Sequence, residues 1–108
     1  MYRLENWYFR KYKNYIMALG NVYDNPRFFD GYFVHTNIIV KITVEDTFFH
    51  VLTKSGSNYI LPYEDCECRG ECLENLKEAV ALFGFSDALV EKCVGMREEK
   101  ERNKNIRI

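Results

Sequence analysis

Proline and glycine are scarce in this 108-residue chain, which has 2 Pro and 6 Gly. That excludes a collagen-like repeat and a Pro- or Gly-rich low-complexity protein. Long apolar runs are missing too. Lys41, Glu45 and Asp46 interrupt the longest of them, and none approaches the roughly 18 apolar residues of a spanning helix. No apolar segment follows Met1-Tyr2-Arg3-Leu4-Glu5-Asn6-Trp7, so no secretory signal is expected and the chain reads as cytoplasmic. An excess of one charge is also lacking. Lys+Arg number 15 and Asp+Glu 16, for a net charge of -1, which excludes a generally basic nucleic-acid coat. Phosphate-cradling G-x-x-x-x-G-K-[ST] and G-x-G-x-x-G loops, H-E-x-x-H helices, calcium loops and G-x-S-x-G elbows are all absent. The corresponding chemistries have no carrier here, and a non-enzymatic role is expected.

What is present is an ordinary globular composition, 47% hydrophobic and 29% charged, in a chain short enough for a single domain over 1–108. Its two parts differ. All the aromatic residues except Phe83 and Phe85 fall in 1–63, a part that is also rich in β-branched residues and reads as strands. Residues 64–97 read as helical. The segment 64–95 carries 8 acidic against 3 basic residues. The remainder, 98–108, is expected to fray.

Trp7–Tyr12 reads as a first strand that turns at Lys13-Asn14 into Tyr15–Tyr23. Period two puts Ile16, Ala18, Gly20 and Val22 on one face, with Gly20 marking a bulge or a close backbone approach. Asp24-Asn25-Pro26-Arg27 and Phe29-Asp30-Gly31 are turn signals, and Phe28 and Phe29 between them are expected to pin the loop to the core. Tyr32–Val44 reads as one long strand. Val34, Thr36, Ile38, Val40, Ile42 and Val44 share its apolar face, and His35, Asn37 and Lys41 lie on the other. Thr47–Thr53 and Asn58–Leu61 form a hairpin around Lys54-Ser55-Gly56-Ser57, ended by Pro62. Leu73, Leu76, Val80 and Phe83 make a helical stripe over Cys72–Phe83. Gly84 suits its C-terminal end and Ser86 the N-cap of a second helix carrying Leu89, Cys93 and Met96. The expected fold is α+β: a small curled antiparallel sheet of about five strands followed by a C-terminal helical hairpin.

Cys66-x-Cys68-x3-Cys72, with Cys93 farther on, is the most specific constellation. Four thiolates would make a tetrahedral structural zinc site, with Cys93 approaching Cys72 across the turn at Gly84. The spacing lacks the C-x2-C pairs of zinc ribbons. Glu64, Asp65, Glu67 and Glu71 would also raise the thiol pKa values. Reduced structural thiols are therefore the preferred reading, and no cofactor is required. His35 and Asn37 share a strand face and are the candidate ligand-binding pair, set against an ordinary half-exposed position. Arg10, Lys11 and Lys13 interleave with Tyr8, Tyr12 and Tyr15 as in single-strand binders. Net charge and the demand of the core for aromatics argue against direct nucleic-acid binding.

Two stretches carry a likeness to known proteins. One is Gly20-x-Val22-Tyr23-x-Asn25-Pro26-Arg27-Phe28-x-Asp30-Gly31, leading into His35-Thr36-Asn37-Ile38. The other is Thr53-Lys54-Ser55-Gly56-Ser57-Asn58-Tyr59-Ile60-Leu61. Together they resemble short proteins of Firmicute phages and mobile elements. The resemblance implies a protein that inhibits a host defence or nucleic-acid-processing protein, a defence nuclease for instance, by occupying its surface, as anti-CRISPR proteins do. Such a protein needs a rigid surface of complementary charge and no active site. The expected contacts are Asn25, Arg27 and Asp30 in the loop, or the acids Glu67, Glu71, Glu74 and Glu78 meeting a basic cleft. The alternatives are a small-molecule or nucleotide binder using His35 and Asn37, and a zinc-stabilised nucleic-acid-binding module using the four cysteines. A monomer and a homodimer paired through a sheet edge both fit the strand pattern.

Overall fold

The computed structural model describes residues 1–106. Six strands form a mixed sheet: β1 Tyr2–Tyr12, β2 Tyr15–Tyr23, β3 Tyr32–His35, β4 Ile39–Val44, β5 Phe48–Thr53 and β6 Asn58–Pro62. A single 3-10 turn, Tyr63–Asp65, and a strap over residues 66–70 lead to α1 Glu71–Leu82 and α2 Ala88–Ile106. Strand order is β3-β2-β1-β6-β5-β4. All pairings are antiparallel except β1 with β6, which run parallel through Tyr2↔Tyr59 and Arg3↔Ile60. The α+β class expected from the sequence is the one observed. The sheet has six strands and a parallel pair, where five antiparallel strands were expected.

Two bulges account for the differences. In β1 the register slips between Glu5 and Tyr8, so Asn6 and Trp7 together oppose Gly20. Asn6 takes a φ of 51°, a left-handed conformation that Asn tolerates better than most residues. The slip moves the buried face from even positions (Leu4) to odd ones (Trp7, Phe9). A period-two reading therefore starts at Trp7 and misses residues 2–6. In β4 the slip falls between Ile39 and Lys41. Ile39 is buried and Val40 is 52% exposed, which corrects the expectation that Val40 shares the buried face of Val34. The long strand is also bent. Thr36 is buried, its hydroxyl donating to Asn37 O at 2.8 Å and accepting from Ala18 N at 3.0 Å. At this bend the strand divides into β3 and β4, which supply the two opposite edges of the sheet.

The core centres on Trp7, which is fully buried against Phe9 and Phe49 at ring separations of 5.2 and 5.9 Å. Phe49 meets Tyr63 edge-on at 4.8 Å. The Trp7 Nε1–H donates to Pro62 O at 2.7 Å, and the Tyr63 hydroxyl donates to Glu45 O at 2.7 Å. Burial pushes the Tyr63 phenol up to about 12. On α1 the expected stripe is recovered: Leu76 and Val80 are buried, and Leu73 and Phe83 pack half-buried against the core. Gly84, at φ 80°, ends that helix, and Ser86 Oγ accepts from Ala88 N at 3.1 Å to start the next.

Where a frayed tail is expected from residue 98, the chain is helical up to Ile106. α2 runs to Ile106 because its C-terminal half is anchored. Arg97 donates to Cys66 O at 3.4 Å and to Asn6 Oδ1 at 3.3 Å, and pairs with Glu101 at 3.1 Å. Lys100 pairs with the buried Asp65 carboxylate. The expectation for residues 107 and 108 lies outside the described residues. Among the described residues no helix is long and apolar enough to cross a membrane.

Two glycines yield opposite predictions. A Cβ on Gly20 would sit 2.9 Å from Glu5 O and 3.1 Å from Trp7 Cα, so Gly20→Ala is expected to destabilise by about 1–3 kcal/mol. Gly95 lies within α2 with nothing within 4 Å of its added Cβ, so Gly95→Ala is expected to stabilise by about 1 kcal/mol. An unchanged or raised urea midpoint in Gly20→Ala would refute the close approach at Gly20. A second prediction concerns pH. With the folded Tyr63 phenol above its ordinary value of 10, its contribution to stability is intact below pH 10 and is lost as pH rises toward 12. Tyr63→Phe is expected to flatten that alkaline decline in denaturation curves.

Candidate functional site

The loop between β2 and β3 is built from polar residues that bond to one another. Asn25 is buried, and its Oδ1 accepts from Arg27 N at 3.0 Å while its carbonyl accepts from Phe28 N at 3.0 Å. Asp30 Oδ1 accepts from Asp24 N at 3.1 Å. Asp24 takes a φ of 66° and is paired with Arg3 at 3.4 Å. Gly31 N donates to Val22 O at 2.8 Å, and its own carbonyl accepts from Asn21 Nδ2 at 3.1 Å. Every turn of this loop is thus closed by a bond within it or to β2.

On this frame the aromatic residues face outward. Phe29 is 89% exposed and Phe28 37%, so neither pins the loop to the core as expected. The turn bonds hold the loop without them, and its backbone aims them away. Phe28 stacks on Tyr32 at 5.6 Å with an interplanar angle of 17°. Tyr32 and Phe33 are exposed on β3, an edge strand. Tyr32 lines a shallow surface cavity with Pro26, Arg27, Phe28 and Phe29, while Phe33, next along the strand, projects to the other face of the sheet. Scattered exposed apolar residues are normal, but contiguous ones mark an interaction surface. Of the loop residues named from the sequence, Arg27 lies on this surface. Asn25 and Asp30 hold the backbone beneath it. Phe28, Phe29 and Tyr32 carry no such signal in the sequence, because adjacent aromatics beside turn residues look the same whether they point in or out.

The remaining expected residues are dispersed. Glu71, Glu74 and Glu78 follow one another along the exposed face of α1, with Glu74 3.5 Å from Lys77. Glu67 is half-buried on the strap and accepts from Arg69 at 3.4 Å. His35 and Asn37 are both exposed, as their shared face requires. His35 Nδ1 lies 3.4 Å from Thr36 O, and Asn37 Oδ1 accepts from Ile38 N at 2.7 Å, so both are engaged in the local bend between β3 and β4.

The four cysteines do not form one set. Cys66 and Cys93 are buried in the same core cluster, and Cys68 packs half-buried against it. Cys72 instead lines a surface cavity with Tyr8, Arg10, Lys11, Glu71 and Asn75. Among the described residues no group of three or more His, Cys, Asp or Glu side chains is arranged to hold a metal ion. The four cysteines expected as a zinc set are thus divided between the core and the surface of α1. α1 lies on β1 while α2 lies on the turn at 63–65, and the two helices touch each other little. The fold thus gathers Cys93 with Cys66, not with Cys72. The acids also act unevenly. Burial, then Glu67 and Glu71, raise the Cys72 thiol. The Cys68 thiol is lowered, by a hydrogen bond from Cys66 above all and by the Arg97 guanidinium.

No protein-family model matches the chain, and neither a curated protein nor a solved structure matches it. The aromatic surface stands on its geometry, which can be tested directly. Asn25→Ala removes a buried acceptor from Arg27 N and is expected to cost about 1–2 kcal/mol. Amide exchange at Arg27 and Phe28 should accelerate in that variant more than exchange in β5. Unchanged protection at Arg27 would show that Asn25 does not hold the loop.

Proposed function

We propose that this chain is a non-enzymatic protein-binding domain that docks a partner protein through the β2–β3 loop and the adjacent β3 edge, and acts by occupying the partner's surface. The observation carrying this reading is the outward display of Phe28 and Phe29, beside Tyr32 of β3, on a loop whose backbone bonds are already made. Binding energy concentrates in aromatic and Arg side chains at interface centres. A loop fixed before binding loses little conformational entropy on docking. Leaving Phe29 in water forgoes the ~1.5–3 kcal/mol that burying such a side chain would contribute, and a partner's pocket would recover it. Inhibition of a host defence or nucleic-acid-handling protein is one form of this activity.

A second reading rests on the exposed acids of α1, which would face a basic cleft. Phe28→Ser/Phe29→Ser and a charge-reversed Glu67, Glu71, Glu74 and Glu78 variant separate the two. Both sets lie at or near the surface, so folding stability is expected to change by no more than ~0.5 kcal/mol per surface position. Against a partner identified by crosslinking from Tyr32, loss of Phe28 and Phe29 should weaken binding by about 2–4 kcal/mol, or roughly 30- to 1,000-fold in Kd. Retained affinity in the double serine variant, with loss in the charge-reversed one, would transfer the interface to α1.

A further inference from the structure

The sheet has two faces, and the core uses one of them. Trp7, Phe9, Ile16 and Ala18 belong to the same buried cluster as Leu76 and Val80 of α1 and Val90 of α2, so the helices lie on that side. Past the bulge of β1 the side chains alternate, which sends Tyr8, Arg10 and Tyr12 to the opposite face. Their cross-strand partners on β2 are Leu19, Met17 and Tyr15, and partners in an antiparallel pair project together. Leu19 is buried yet stands outside the core cluster, as a residue covered by neighbours on this second face does. Phe33 and His35, opposite Asn21 and Leu19, extend the face across β3.

The core does not take up the aromatic residues at this end of the sheet. Tyr12 is 60% and Tyr15 50% exposed, and Phe33 is exposed as well. The demand of the core for aromatics, which weighs against nucleic-acid binding in the sequence, therefore does not apply to them. Charge is also local. Between Trp7 and Tyr23 there are three basic residues, Arg10, Lys11 and Lys13, and no acidic one. Among the described residues none of the three enters an ion pair. Two of them lie over rings instead: Arg10 Cζ is 5.9 Å from the ring centroid of Tyr8, and Lys13 Nζ is 5.6 Å from that of Tyr12. Arg10 and Lys11 border a surface cavity with Tyr8, closed from the other side by Glu71, Cys72 and Asn75 of α1, and Glu71 is the one acid lining it.

We propose that the β1–β2 hairpin is a binding site for single-stranded nucleic acid, with unpaired bases stacking on Tyr12 and Tyr15 and phosphates meeting Arg10, Lys11 and Lys13. An exposed ring offers a base a flat platform, and a cation beside the ring meets the phosphate of the stacked nucleotide. A duplex has its bases stacked already, so it could use only the charges. A second copy of the chain would set the same three cations against one another. The site is separate from the aromatic display of the β2–β3 loop, since Tyr32 and Phe33 project to opposite sides of β3.

Fluorescently labelled oligouridylate and oligothymidylate of about 20 nucleotides, longer than a typical single-fold site, would be titrated with the native protein and followed by anisotropy. Neutralisation of about three phosphates predicts a slope of about -2 for log K against log salt, or roughly 20-fold weaker binding between about 50 and 200 mM salt. Tyr12→Ala is expected to weaken binding by about 5- to 150-fold and to leave that slope unchanged. Arg10→Gln/Lys13→Gln is expected to reduce the slope to about -0.7. On the unmutated chain, photocrosslinking with iodouridine-substituted oligouridylate and peptide mapping should mark Tyr12 or Tyr15. A labelled duplex binding as tightly as the single strands would overturn the proposal. So would an absence of binding at the lower salt, or crosslinks confined to residues outside the hairpin. The duplex comparison and the crosslinks need no variant, so a folding failure of Tyr12→Ala leaves the test intact.

Discussion

The backbone of β1 must accommodate two residues, Asn6 and Trp7, opposite the single residue Gly20. Much else depends on that contact. The extra residue turns the indole into the core, where it meets Phe9 and Phe49. It also brings the Trp7 backbone so near β2 that Gly20 has no room for a side chain. Past the bulge, Trp7 O no longer serves an ordinary ladder. It accepts from Glu67 N instead, which extends the parallel pairing of β1 beyond β6 to the strap. The indole N–H, bonded to Pro62 O, fixes the other end of the same connection. One local irregularity thereby decides where the chain leaves the sheet, where the cysteines fall, and which side the helices cover.

From that frame the strap and the β2–β3 loop follow separately. The strap is pressed between β1 and α2, so its alternate residues Cys66 and Cys68 are set into a wall that Arg97 and Lys100 hold in place. The β2–β3 loop depends on other bonds: Asn25, Asp30 and Gly31 close it on itself and on β2. None of these involves the helices. The aromatic display therefore does not depend on how the strap and the helices pack.

Legibility in the sequence followed the same physics. Where alternation ran unbroken it could be read directly: β2, with Ile16, Ala18, Gly20 and Val22 all buried, and the hairpin of β5 and β6. The close approach at Gly20 was legible because a glycine interrupts a strand of larger residues. Alternation failed at the two bulges, since one inserted residue inverts every later assignment. For that reason period two places Val40 inward and begins the first strand at Trp7. The tail of α2 was lost for another. Lys100 and Arg97 look like solvated charges in sequence, and only the strap, about thirty residues earlier, reveals what they hold.

The loop residues show most sharply how side-chain type and side-chain role separate. Asn25 and Asp30 are polar, yet they work inward, as acceptors that complete turns. Phe28 and Phe29 are apolar, yet they work outward. Hydrophobicity alone gives the opposite assignment. The reversal has a single cause. In a tight loop the backbone N–H groups need partners before any side chain can be buried, and short Asn and Asp side chains provide them at close range. Once those acceptors occupy the inside of the turn, bulky rings are left the outside. A loop stabilised by polar bonds can therefore carry exposed aromatics at little structural cost, the combination that a docking surface requires.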